Sequence, residues 1–245
     1  MALKCYFDGS AKSGRRLTLA AVAGDEAAWA DLEADWMAFL KSEGLPYTHM
    51  KEALSRNGVF KGKGWQKDKR DWFVNGLITF VNIHQDNHQG RLKAFTSSVD
   101  LKAHAEFSTK IPGLPPPARM CVRGIVPKIF EWYQAFPDTF LDVIEFYFDR
   151  DEPFMQHIDA DWKSAEYRKR FPIWDLIRTI APVPMQVTPG IQVADLFAWS
   201  RTHVDRGRQA DRFWGPALML CHPSHADHWI FDRDKISTYP PYAIM

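Results

Sequence analysis

Cysteine is scarce in this chain, and the scarcity bounds its surroundings first. Cys5, Cys121 and Cys221 are the three thiols among 245 residues. They are far apart and odd in number, which argues against a disulfide framework and for a reducing compartment. An excess of one charge is also missing. Lys and Arg total 31 against 30 Asp and Glu, a formal net charge of +1. No global field draws the protein to a polyanion, so any affinity for nucleic acid has to come from local patches. No apolar run approaches the roughly 18–20 residues of a membrane helix. The N-terminus enters a strand pattern at once with no signal peptide ahead of it, and a cytoplasmic protein is expected. There is no Walker loop, no Gly-x-Ser-x-Gly elbow and no Gly-x-Gly-x-x-Gly, which leaves nucleotide hydrolysis on a P-loop, serine esterase and dinucleotide chemistry without support.

What the chain has in quantity is apolar and aromatic surface. Hydrophobic residues make up 46% and aromatic residues 14%, with ten Trp and seventeen Phe, enough for one sizeable domain spanning 1–245 with a large core. So many rings also put several of them near the surface or along a groove. The main break in the patterning is Ile111-Pro112-Gly113-Leu114-Pro115-Pro116-Pro117. It is too rich in proline for regular structure, and 111–118 reads as a connection. No internal repeat is evident.

The periodicities describe an α/β chain. Leu3, Cys5 and Phe7 alternate with Lys4, Tyr6 and Asp8, the period of a strand. Gly9-Ser10 then turns the backbone, and 16–22 returns as a second strand ending at Gly24. Asp25 caps a helix with Trp29, Leu32, Trp36, Phe39 and Leu40 at helical spacing, ended by Gly44 and Pro46. A second amphipathic helix covers 71–84, a third strand 91–99, and a third helical stripe runs from Val122 to Tyr133. The stretch 141–149 is apolar enough to be a central strand, and the helix after it runs to about Lys169. An irregular edge strand follows within 174–187. Thr188-Pro189-Gly190 then starts a helix, with Pro189 at the first helical position.

Three acids stand out in this frame. Asp8 ends the first strand, where the plain alternative is an Asx-turn with its own backbone. Asp149 ends the later apolar strand. Asp195 shares a helix face with Ile191, Ala194 and Ala198, so it points toward the sheet. A carboxylate there needs compensation, and a salt bridge to an Arg or a bond to Gln192 is the plain alternative to a ligand.

Acids on the first strand, a later central strand and a late helix resemble, in that order, the ribonuclease-H-like superfamily of nucleases, integrases and resolvases. The likeness is closer to a prokaryotic domain family of unknown function within it. Its members open on a strand running into Asp-Glu-Ser-Gly, carry a His after the first long helix, and end with Gln-x-Ala-Asp-Leu on a helix following Gly. The matching residues here are Asp8 and Ser10, His49 in Tyr47-Thr48-His49-Met50, Asp149, and Gly190-Ile191-Gln192-Val193-Ala194-Asp195-Leu196. The chain departs from the pattern at Gly9, where the family has its second acid.

The resemblance implies a mixed central sheet that begins with an antiparallel hairpin and is flanked by helices, with helical insertions. It also implies a Mg²⁺- or Mn²⁺-dependent nuclease in which Asp8, Asp149 and Asp195 hold the metal. Carboxylate oxygens suit such hard cations, and two of them about 3.5–4 Å apart assist phosphodiester cleavage. His49 would orient water or help protonate the leaving group, and Glu52, Asp151 and Glu152 are candidates for a fourth ligand. A catalytically inactive module binding nucleic acid or protein is the alternative. For a nucleic-acid partner, Lys61, Lys63, Lys67, Lys69 and Arg70 around Trp65 offer a cationic loop with an indole as stacking platform. An ordinary solvated loop is the competing reading of the same residues. The His222, His225 and His228 spacing matches no standard zinc site.

Overall fold

The structure is a computed structural model and describes residues 2–10, 15–62, 64–135, 143–150, 152–170, 172–205, 207 and 212–239. Strand β1 (Ala2–Ser10) turns back as β2 (Arg16–Asp25), an antiparallel hairpin with Asp8 opposite Ala20. Helix α1 (Glu26–Ser42) follows directly, its first turn capped by Asp25, which accepts from the Ala28 N–H at 2.9 Å. Next come α2 (Met50–Ser55), α3 (Lys67–Asn87), β3 (Leu92–Asp100), α4 (Leu101–Ser108) and α5 (Pro117–Gln134). The second half carries β4 (Val143–Asp149), α6 (Met155–Lys163), α7 (Ala165–Arg170), β5 (Ile177–Val183) and α8 (Pro189–Asp205). It closes with α9 (Trp214–Leu220), β6 (Ala226–Phe231) and α10 (Arg233–Ser237).

The six strands form one mixed sheet in the order β5-β4-β1-β2-β3-β6. β1 pairs with β2 antiparallel and with β4 parallel, and β5 and β6 join in parallel at the two edges. Alternation along the strands sends side chains to two separate cores. Leu3, Cys5, Phe7, Phe146 and Phe148 meet α5 and α6 on one face, where the rings of Phe7 and Phe148 stack at 4.6 Å. Tyr6, Ala20, Val22 and Tyr147 face α1, α3 and α8 on the other. Apolar burial on both faces, at about 25 cal/mol per Å², is what holds a central sheet of this kind.

Several details differ from the sequence reading. The helix expected to run to about Lys169 is two, because the chain is extended at Ser164 between α6 and α7. Its polar surface hides one anchor: the buried Asp161 takes Arg119 of α5, with Nε at 3.1 Å. The proline-rich connection joins α4 to α5 without separating two cores, since Ala103 and Met120 on either side of it lie in the same buried cluster. The His-rich stretch before the C-terminus leads into β6, where the ring of His228 bonds the Thr96 hydroxyl at 2.8 Å. Helices α4, α9 and α10, of eight, seven and five residues, are too short to declare themselves by periodicity. Among the described residues no helix is long and apolar enough to cross a membrane.

Candidate functional site

The parallel register of β1 and β4 sets Phe7 beside Phe148, so Asp8 and Asp149 leave the sheet at the same end on adjacent strands. Strand alternation also gives them the same face. Asp8 follows Tyr6, and Asp149 follows Tyr147, and those two tyrosine rings stack at 5.3 Å on the α8 side. A one-residue slip of either strand would send its acid to the opposite face.

Helix α8 brings the third acid to this face. Its close approach depends on Gly190, where an added Cβ would stand 2.3 Å from the ring of Tyr6. Ala194 and Ala198, both fully buried, keep the rest of the helix tight on the sheet. Gln192 does not pair with Asp195. Its Oε1 accepts from Trp36 Nε1 at 2.9 Å and from the Thr48 N–H at 3.0 Å, and its Nε2 donates to the Met185 carbonyl at 2.9 Å. One buried amide therefore ties α1, the segment before α2 and the segment before α8 together. The next turn of α8 repeats the device, with the Met50 N–H donating to Asp195 Oδ2 at 2.6 Å.

A fourth acid arrives from the segment after β4. The Gly9 N–H donates to Glu152 Oε2 at 3.1 Å. Of the three candidates for that place, Glu152 joins the cluster. Glu52 is engaged elsewhere by the Tyr47 hydroxyl at 3.1 Å and by His49 Nδ1 at 3.8 Å, and Asp151 lies outside the described residues.

Crowding leaves an electrostatic mark. Burial, followed by the charges of Asp195, Glu152 and Asp149, raises Asp8 well above the usual carboxylate range, against the pull of the Gly9 N–H. Glu152 is pushed up to about 7 by burial and by Asp149. Among the described residues, no side-chain cation is among the main causes of either shift. Four carboxyl groups near one another, with backbone N–H donors beside them, are oxygen donors of the kind that hard divalent ions take. They are not drawn together as ligands, however. Among the described residues no three His, Cys, Asp or Glu side chains are already arranged to hold a metal ion. Part of the reason is that Asp195 is turned to the Met50 N–H, Glu152 to that of Gly9, and Asp149 to that of Met185 at 3.2 Å.

His49 precedes α2 in extended conformation and lines a pocket together with Gly9, Ser10 and Asp195. The cationic loop is placed differently from the expectation. Trp65 is not an exposed platform. It is 8% exposed, wedged against Phe60 and Phe73, and covered by Lys69 at 4.8 Å. Lys69 also pairs with Glu43 at 3.0 Å. Lys61 and Lys67 are exposed, and Lys63 lies outside the described residues. Arg70 is tied to the wall of the pocket near His49, donating from Nη1 to the Leu54 carbonyl at 2.9 Å.

No protein-family model matches the chain, and a search of the curated proteins finds no match either.

Proposed function

We propose that this chain is a divalent-metal-dependent nuclease of ribonuclease-H-like architecture, hydrolysing phosphodiester bonds at the carboxylate cluster. The observation that carries the reading is the convergence of Asp8, Asp149 and Asp195 on one face at one end of the sheet, from two adjacent parallel strands and a helix. A mixed sheet opening on an antiparallel hairpin, flanked by helices, supports it as well. Asp8, Asp149 and Asp195 would hold Mg²⁺ or Mn²⁺, with Glu152 as a further oxygen ligand in the place left by Gly9. The bound ion would supply a Lewis acid that neutralises charge on the phosphoryl oxygens and helps to activate water.

The chain's own groups provide the rest. Glu152, raised to about 7 by burial and by Asp149, would give up its proton on taking the ion. His49, which lines the adjoining pocket with Gly9, Ser10 and Asp195, would protonate the leaving oxygen. Gln192 and the Met50 N–H hold Asp195 and the start of α2 in a fixed relation, so that His49 and the acids keep their geometry.

The competing reading, a non-catalytic binding module, draws on the absence of a ready-made metal-holding group among the described residues. Labelled single- and double-stranded DNA and RNA, incubated with Mg²⁺, Mn²⁺ or chelator, separate the two. The nuclease reading expects metal-dependent cleavage that Asp8→Asn and Asp195→Asn abolish. Inertness toward all four substrates with either metal would leave the binding module.

A further inference from the structure

Beside the carboxylate cluster the surface opens into a groove of about 460 Å³. Its floor is α8, where Asp195, Trp199 and His203 follow one another at four-residue intervals and so line up along the helix. Its wall is α2 and the turn after it, with Lys51, Ser55 and Asn57 exposed. Trp199 is half-buried and braced, its ring stacked on His203 at 5.0 Å and set against Phe213 at 5.6 Å.

Three arginines lie on the elements around this ring. Arg56 stands in the exposed turn after α2 with a left-handed backbone, φ 54°. Arg70 is fixed to the Leu54 carbonyl in the groove wall. Arg212 lies over the Phe213 ring at 4.6 Å and pairs with Asp71 at 2.9 Å. Burial, then the charge of Arg212 and more weakly that of Arg56, depress the pKa of Arg70, with Asp71 opposing them. Arg70 lies within reach of the charges of Arg212, Arg56 and Asp71, a local excess of cations on a chain of net charge +1.

We propose that this groove binds a single-stranded segment of nucleic acid, with an unpaired base on Trp199 and flanking phosphates on Lys51, Arg56, Arg70 and Arg212, and leads it to the carboxylate cluster. The proposal rests on the nuclease reading for its direction and adds the form of the substrate. Bases within a duplex are stacked on one another and offer no face to a side chain, so a base that reaches Trp199 has to be unpaired. An aromatic platform beside a cationic track is the arrangement that serves single strands with little sequence preference. The Lys61 loop lacks the first of these parts, because its own indole is buried.

Fluorescence anisotropy in chelator tests the groove apart from cleavage, using labelled single-stranded DNA, single-stranded RNA and a DNA duplex. Either single strand is expected to bind at least about tenfold more tightly than the duplex. Trp199→Ala should weaken it by about tenfold or more, and Trp199→Phe should retain most of the affinity. In the double variant Arg56→Gln, Arg212→Gln, at exposed positions that leave the core intact, the slope of log K against log salt should fall by about 1.4. Duplex binding as tight as single-strand binding would overturn the proposal, as would a loss seen in Lys61→Gln but in none of the groove variants. Groove-dependent binding with no cleavage under any metal condition would keep the groove and sink the nuclease reading. Cleavage that needs Asp8 but is untouched, with binding, by the groove variants would do the reverse.

Discussion

Gly9 and Glu152 occupy each other's space. The Gly9 N–H donates to one carboxylate oxygen of Glu152, and a Cβ at position 9 would stand 2.8 Å from the other oxygen and 2.3 Å from the ring of Phe154. The ribonuclease-H-like reading proposed above expects an acid directly after the first aspartate. Here the side chain is missing from the strand, and a carboxylate reaches the same neighbourhood from the segment after β4.

Gly9→Ala should therefore destabilise the protein, because Phe154 is buried and cannot retreat without disturbing its neighbours. Overpacking of this kind costs about 1–3 kcal/mol, with Tm falling about 2–4 °C per kcal/mol for a chain of this size. Gly9→Glu should lower Tm further. Thermal melts check both, and an unchanged Tm would show that Phe154 and Glu152 give way freely.

Asp195→Asn keeps an oxygen for the Met50 N–H and removes a charge facing Asp8. Without metal the variant should be at least as stable as the parent. Mg²⁺ or Mn²⁺ well above its Kd should raise the Tm of the parent and leave that of the variant unmoved. A loss of about 3–5 kcal/mol in the metal-free variant, as for a broken buried ion pair, with no metal response in the parent, would make Asp195 a structural residue instead.

The pH dependence of stability has two opposed limbs. The Glu152 carboxyl ordinarily titrates at 4.5 and is raised to about 7 in the folded protein. Its burden is absent below 4.5, grows as pH rises through that window and is level above it. His228 runs the other way: burial, then Arg201, lower it from 6.5 to about 3 despite Asp205, so its contribution is full above 6.5 and lost as pH falls toward 3. Denaturant melts in chelator should show the upper limb flattened in Glu152→Gln and the acid limb retained. Metal should stabilise the parent more above neutrality than in acid, because protons and cations compete for the same oxygens.

Gln192→Leu should be among the most damaging single changes near the site. It leaves the Trp36 indole N–H and the Thr48 N–H buried without their acceptor and the Met185 carbonyl without its donor. Each orphaned group costs about 1–3 kcal/mol. Melts should register the loss, and amide hydrogen exchange should quicken at Thr48 and Met50, where α2 meets α8. Exchange rates equal to those of the parent would mean that the Asp195 contact alone holds α2 in place.

Much of this architecture is legible in the chain itself. Alternation in 3–8 puts Asp8 opposite in face to Leu3, Cys5 and Phe7, and the helix start at Thr188-Pro189 sets the phase that turns Asp195 toward the sheet. Both follow from local periods, 2 for a strand and 3.6 for a helix, which decide the face a side chain takes before any partner is known. Asp25 as a helix cap and the edge position of the irregular strand were readable for the same local reasons.

Other features were decided by the tertiary structure alone. Glu152, 143 positions from the Gly9 it serves, is no more marked along the chain than Glu52 or Asp151, and only the fold brings it to Gly9. Trp65 looked like a surface platform because cations surround it in sequence, yet Phe60 and Phe73 bury it. Nothing along the chain sets Trp199 and Arg212 beside α2. A period fixes direction within one element, whereas which elements meet is set by shape and burial summed over contacts far apart in the chain. No local pattern carries that sum.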